Sequence, residues 1–100
     1  MVTLIRTDAF AEWLGRLSDA RGRARILARL DAAALGNFGD CAPVGAGVSE
    51  MRIHTGPGYR VYYTRYDAVV YLLLLGGDKA TQKRDIKRAI GMARKLEERA

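Results

Sequence analysis

The side chains best suited to chemistry lie close together: Arg52, His54, Arg60 and Tyr62 fall within one eleven-residue stretch, and Lys79 follows further along. Arginine offers a planar fork that matches phosphate oxygens two at a time. Cations placed where charge develops on a pentacoordinate phosphorus stabilise that transition state. His54 is the single histidine of the chain, and histidine is the side chain that most readily exchanges a proton near neutral pH. Tyr62 offers a ring on which a base can stack. Together these groups suit phosphodiester cleavage in RNA, which needs a base for the 2′-hydroxyl, cations for the phosphorane and an acid for the 5′-oxygen. Each also has a plainer reading. A strand histidine can be a surface residue, Arg52 and Arg60 can pair with Glu50 and Asp78, and tyrosines are good strand formers. No paired carboxylates at catalytic spacing, no metal-ligand cluster and no Ser-His-Asp pattern is present, so no metal and no cofactor is expected. Gly76-Gly77-Asp78-Lys79 lacks the six-residue glycine frame of a P-loop, and its lysine is followed by Ala80-Thr81.

The elements that must position these residues follow from periodicity. Val2 to Arg6 is a short β-prone run. Thr7 is a good N-cap, and Asp8 stands where a helix dipole favours a carboxylate. Phe10, Trp13, Leu14 and Leu17 make one apolar helix face. A second helix is expected over about 20–35, with Ile26, Leu27, Leu30 and Ala34 inward, ending at Gly36-Asn37. The short break between the two predicts a helical hairpin. Residues 38–47 read as loop. Val48 to His54 alternates, with Met51 and Ile53 on one face. Thr55-Gly56-Pro57-Gly58 is a hairpin turn, and Tyr59 to Tyr66 is the returning strand. Val69 to Leu75 is apolar throughout and reads as a central strand, broken by Gly76-Gly77-Asp78-Lys79. A last helix covers about 81–98, with Ile86, Ile90, Ala93 and Leu96 inward. Its outer face carries Lys83, Arg84, Lys87, Arg88, Arg94 and Lys95.

The predicted order is thus β-α-α-β-β-β-α, an α+β fold with an N-terminal helical hairpin on an antiparallel sheet of three to four strands and a C-terminal helix. Met51, Ile53, Val61 and Tyr63 are expected on the covered face. Alternation sends Arg52, His54, Arg60 and Tyr62 to the opposite face, which this reading leaves open, with Lys79 at its border.

At 100 residues, nearly half of them hydrophobic, the chain suits one domain, 1–100, with one core. No apolar run reaches the length of a membrane helix. The N-terminus lacks a basic start followed by an apolar stretch, so the cytoplasm is the expected location and no membrane contact is expected. Cys41 is a lone cysteine and allows no internal disulfide. The net charge is +6, and residues 1–50 balance with six Lys/Arg against six Asp/Glu. Residues 51–100 hold eleven against five, so the whole excess lies in the second half. That asymmetry points to an anionic partner.

Several strings of this sequence resemble one family: Gly36-Asn37-Phe38-Gly39-Asp40, Pro43-Val44-Gly45, Glu50-Met51-Arg52-Ile53, Gly56-Pro57-Gly58-Tyr59-Arg60-Val61-Tyr62-Tyr63 and Leu73-Leu74-Leu75-Gly76-Gly77-Asp78-Lys79-Ala80-Thr81-Gln82. They resemble the addiction-module killer proteins, the HigB-like branch of the RelE/ParE toxin superfamily, over about residues 7–95. The resemblance implies a RelE-type fold and the toxin of a type II toxin–antitoxin pair, a metal-independent endoribonuclease that cleaves mRNA on the ribosome and arrests translation. Carried over by position, its catalytic set is Arg52, His54, Arg60 and Lys79. Tyr62, Lys83 and Lys87 are expected to bind RNA. The implied partners are the ribosome with its mRNA and a small helix-turn-helix antitoxin, encoded adjacently, that neutralises the toxin and takes it to operator DNA. This chain has no tyrosine after Tyr71, where RelE uses one, so His54 is the first candidate for general base and Lys79 the second. The superfamily also holds ParE-like gyrase poisons that cleave nothing, and a toxin serving mainly as co-repressor is a third reading.

Overall fold

The chain builds its first helix from a threonine hinge. In a computed structural model, which describes residues 1–99, β1 (Thr3–Arg6) passes through Thr7 into α1 (Asp8–Arg16). Thr7 Oγ1 accepts the amide of Phe10 at 3.1 Å and donates to the carbonyl of Leu74 at 2.8 Å. One side chain therefore caps α1 and ties it to the sheet. Asp19 caps α2 (Ala20–Ala34) in the same way, accepting the amide of Gly22 at 3.0 Å. Strands β2 (Cys41–Gly45), β3 (Val48–Ile53), β4 (Tyr59–Asp67) and β5 (Val70–Asp78) follow, then a 3₁₀ turn (Lys79–Thr81) and α3 (Gln82–Arg99).

The five strands form one mixed sheet in the order β1-β5-β4-β3-β2. β1 runs parallel to β5, and the other pairs are antiparallel. The expected α+β class holds, with three helices, but the sheet is not the antiparallel one of three to four strands: it has five strands and is mixed, because β1 joins its edge parallel to β5. Two further expectations are corrected. Residues 41–45 form an edge strand rather than loop, because Pro43 is tolerated where no further strand needs its missing amide hydrogen. Gly76-Gly77 does not break β5, which continues to Asp78. A β-carbon on Gly76 would stand 2.0 Å from the Trp13 ring, and one on Gly77 would stand 2.0 Å from Asp85 Oδ2. The two glycines let α1 and α3 approach the strand from opposite sides.

The helical hairpin packs on one face. Phe10, Leu14, Ile26, Leu30 and Ala33 bury against Met51, Ile53, Tyr59, Val61, Tyr63 and Leu73. The opposite face is not open, contrary to the sequence reading. α3 covers it, packing Ala89 and Ala93, with Ile86, Ile90 and Leu96 beside them, on Val48, Tyr62, Leu72, Leu74 and Leu75. The physical reason is reciprocal. β5 carries leucines on both faces, and the apolar stripe of α3 needs a surface to cover. Among the described residues no helix is long and apolar enough to cross a membrane.

Candidate functional site at the turn end of the sheet

Register brings the arginines together. β3 and β4 pair so that Glu50 stands opposite Tyr62 and Arg52 opposite Arg60. All four side chains share the α3 face, since residues two apart on a strand point the same way. Like charges directly opposite on neighbouring strands destabilise a sheet, so the Arg52–Arg60 pair needs compensation. Arg52 finds it nearby: its Nε donates to Glu50 Oε2 at 3.1 Å, and its Nη1 lies 3.8 Å from Asp40 Oδ1. Glu50 is 5 % exposed, and its other oxygen accepts Gln82 Nε2 at 2.8 Å. That carboxylate thereby links β3 to the first turn of α3.

Arg60 differs. It is buried, at 6 % exposure, and no ion pair to a carboxylate forms among the described residues. Its Nη1 donates to the carbonyls of Gly58 and Tyr59, both at 3.1 Å, while its Nε has no partner. The space over Gly58 is bounded by Arg60 Nη1 and Lys79 Cβ, each 3.5 Å from where a β-carbon would stand. Lys79 itself is exposed, in the 3₁₀ turn whose N-cap is Asp78.

His54 lies just beyond β3, its side chain 68 % exposed, with Nε2 2.6 Å from Asp40 Oδ2. This hydrogen bond, more than the charge of Arg52, holds the Asp40 carboxyl below its ordinary range. Arg29 of α2 reaches across to donate to the carbonyls of Arg52, Phe38 and Asp40.

The structure therefore gathers Arg52, Arg60, His54 and Lys79 at the turn end of the sheet. Lys83 and Lys87 are exposed on α3, one turn apart. Tyr62 is corrected: it is 0 % exposed under α3 and has no ring face to offer a base. Its hydroxyl has no hydrogen-bond partner. Burial first, then the charges of Glu50 and Asp85, push that hydroxyl above the ordinary phenol range. Arg60 is also less accessible than an open face would make it, for the same reason.

No family model matches the chain. An uncharacterized protein of Haemophilus influenzae is 46 % identical to it over 90 residues, spanning 90 % of this chain and 91 % of its own. The chain belongs to the family of that protein.

Three acidic residues complete the site that the cations alone outlined. Glu50 was visible in the sequence as a neighbour of Arg52 on one strand face. Asp40 was not, because its place beside Arg52 depends on the pairing that leads into β2: the Arg52 amide donates to the Asp40 carbonyl at 2.9 Å. Asp85 is 4 % exposed, accepts Thr81 Oγ1 and lies against the strand backbone at Gly77. Its sole sequence signal was a carboxylate in the first turn of a helix.

Proposed function

We propose that the protein is a RelE-type toxin of the HigB-like branch, acting in the cytoplasm as a metal-independent, ribosome-dependent mRNA endonuclease and held in check by a helix-turn-helix antitoxin. The observation that carries this reading is the Arg52–Arg60 cross-strand pair, with Arg60 buried and lacking a carboxylate partner. An uncompensated buried cation is costly, and an anionic ligand at the turn end of the sheet relieves that cost. Arg52 and Lys79 are the groups exposed enough to meet a scissile phosphate. Arg60 stands behind them as fixed positive charge in a medium less polar than water, where its field is stronger.

In this reading the 2′-oxygen of the substrate attacks phosphorus as His54 takes its proton. The bond from phosphorus to the 5′-oxygen breaks, and that oxygen takes a proton from Lys79 or water. The products are a 2′,3′-cyclic phosphate and a 5′-hydroxyl, and solvent exchange restores the proton balance. Lys83 and Lys87 add phosphate contacts that weaken with salt.

The test is primer extension on mRNA in a reconstituted translation system, with and without ribosomes. Wild type is expected to give codon-phased cuts that require ribosomes. Arg60→Gln removes the buried charge behind the phosphate site, and is expected to cut at least about 100-fold more slowly; circular dichroism verifies that it is folded. Intact mRNA in every wild-type lane refutes the nuclease. The burial of Tyr62 and Arg60 favours one alternative, a ParE-like gyrase poison that uses the basic end as a docking surface; it predicts DNA-damage signalling in place of translation arrest.

A further inference from the structure

We propose that Asp40 is a positioning residue for His54: the two form a dyad that fixes the imidazole with its proton on Nε2 and turns a bare Nδ1 to the substrate. This rests on the nuclease reading above and assigns a part to a residue that reading leaves idle. The contact is 2.6 Å from Nε2 to Oδ2. An ionised carboxylate can only accept, so Nε2 carries the hydrogen and the neutral ring keeps its lone pair on Nδ1. A base within reach of a 2′-hydroxyl needs that lone pair.

An exposed His–Asp contact can be a surface ion pair of small consequence. Two observations set this one apart. The backbone that bears it is fastened from three sides: the Asp40 carbonyl accepts both Arg29 Nη2, at 3.2 Å, and the Arg52 amide, at 2.9 Å, while Arg29 also holds the carbonyls of Phe38 and Arg52. Such support is what keeps a reacting group within the tolerance catalysis demands. The dyad also adjoins the proposed phosphate cations, since Arg52 Nη1 is 3.8 Å from the second oxygen of Asp40. The charged groups around His54 are thus Asp40, Arg52 on β3, and Arg25 and Arg29, which line a groove of about 260 Å³ with Ala28, Ile53 and His54. The His54 side chain beside this groove is itself exposed, so the ring is open to solvent.

His54 is the only histidine, so its ring nitrogens are assigned without ambiguity by long-range ¹H–¹⁵N correlation on the full-length protein. Wild type is expected to show the Nε2–H tautomer predominating, and Asp40→Ala a mixture. In the ribosome-dependent cleavage assay, His54→Gln is expected to lower kcat about 100-fold. Asp40→Ala is expected to lower it about 10-fold or more with KM for the programmed ribosome nearly unchanged, and Asp40→Asn, which can still accept from Nε2, should restore part of the loss. The double variant Asp40→Ala/His54→Gln should be no slower than His54→Gln alone, because residues that act as a unit are not additive. Three results overturn the dyad while sparing the nuclease: full activity in His54→Gln, additive losses in the double variant, or a wild-type ring with its proton on Nδ1. Absence of cleavage by wild type overturns the nuclease reading, and the catalytic role of the dyad with it.

Discussion

The two faces of the sheet are built on different principles. Under the helical hairpin the contacts are apolar and aromatic: the Phe38 ring lies 5.1 Å from that of Tyr63 and 4.8 Å from that of Tyr71, and Phe10, Trp13 and Tyr59 form a second chain of rings. On this side the Tyr59 hydroxyl donates to Asp19 Oδ2 at 2.7 Å, while Arg23 Nε of α2 is buried without a partner. Under α3 the same strands present Glu50, Arg60 and Tyr62, and Asp85 comes down from the helix; these carboxylates and Arg60 are the buried charged residues of the described chain. Arg60 Nε and the Tyr62 hydroxyl there lack partners. An unsatisfied buried polar group costs about 1–3 kcal/mol. What separates the two faces is buried charge: the hairpin side buries apolar and aromatic groups and supplies stability, whereas the α3 face holds Glu50, Arg60 and Asp85. Departures from full satisfaction are where functional sites are expected.

The largest test of that division is Phe10→Ala. Phe10 is 0 % exposed in the hairpin core, so the truncation is expected to cost about 3–5 kcal/mol in urea unfolding, while cleavage per folded molecule stays unchanged. A cost under about 1 kcal/mol would mean that the hairpin face is not the stabilising one. A smaller effect is expected from pH. Burial, then the bond to Asp19, raises the Tyr59 phenol to about 12. The Gly22 amide, then Tyr59, lowers the Asp19 carboxyl below its ordinary 3.8. For the raised phenol the stabilisation is complete below its unfolded value of 10.0 and is lost as pH rises through about 12. For the depressed carboxyl it is present above 3.8 and is lost as pH falls through the lower folded value. Tyr59→Phe should therefore remove the alkaline part of this pH dependence and soften the acid part, where the Gly22 bond remains, as read from thermal midpoints over a pH series. An unaltered alkaline limb would assign it to another group.

The hairpin face was largely legible in the sequence, because it is made of local signals: the Thr7 cap, the i, i+3, i+4, i+7 spacing of Phe10, Trp13, Leu14 and Leu17, and the alternation of Met51 and Ile53. Alternation also placed Arg52, Arg60 and Tyr62 together on the other face. It could not say what covers that face, because an amphipathic helix such as α3 advertises an apolar stripe without naming the surface beneath it. Asp40 escaped notice for a related reason: it meets His54 across fourteen positions, through a strand whose glycines and proline read as loop. Gly76-Gly77 read as a break because glycine weakens strands, whereas here it answers a demand for space that exists only after Trp13 and Asp85 have docked.

The smallest expected effect is the most discriminating. Tyr62 is wholly buried with an unpartnered hydroxyl between two carboxylate charges. Removing that oxygen forfeits no hydrogen bond and relieves a desolvated dipole, so Tyr62→Phe is expected to leave stability unchanged or raise it by up to about 1 kcal/mol. The ring that packs on Ala89 and Ala93 is retained. Because the ring cannot reach a base, mRNA cleavage should stay within about threefold of wild type, in contrast to Arg60→Gln two positions away on the same strand face. A loss of about 2 kcal/mol would show that the hydroxyl is bonded in solution, with Glu50 or Asp85 as acceptor. A loss of cleavage without loss of stability would show instead that α3 moves aside on the ribosome and brings Tyr62 to the RNA.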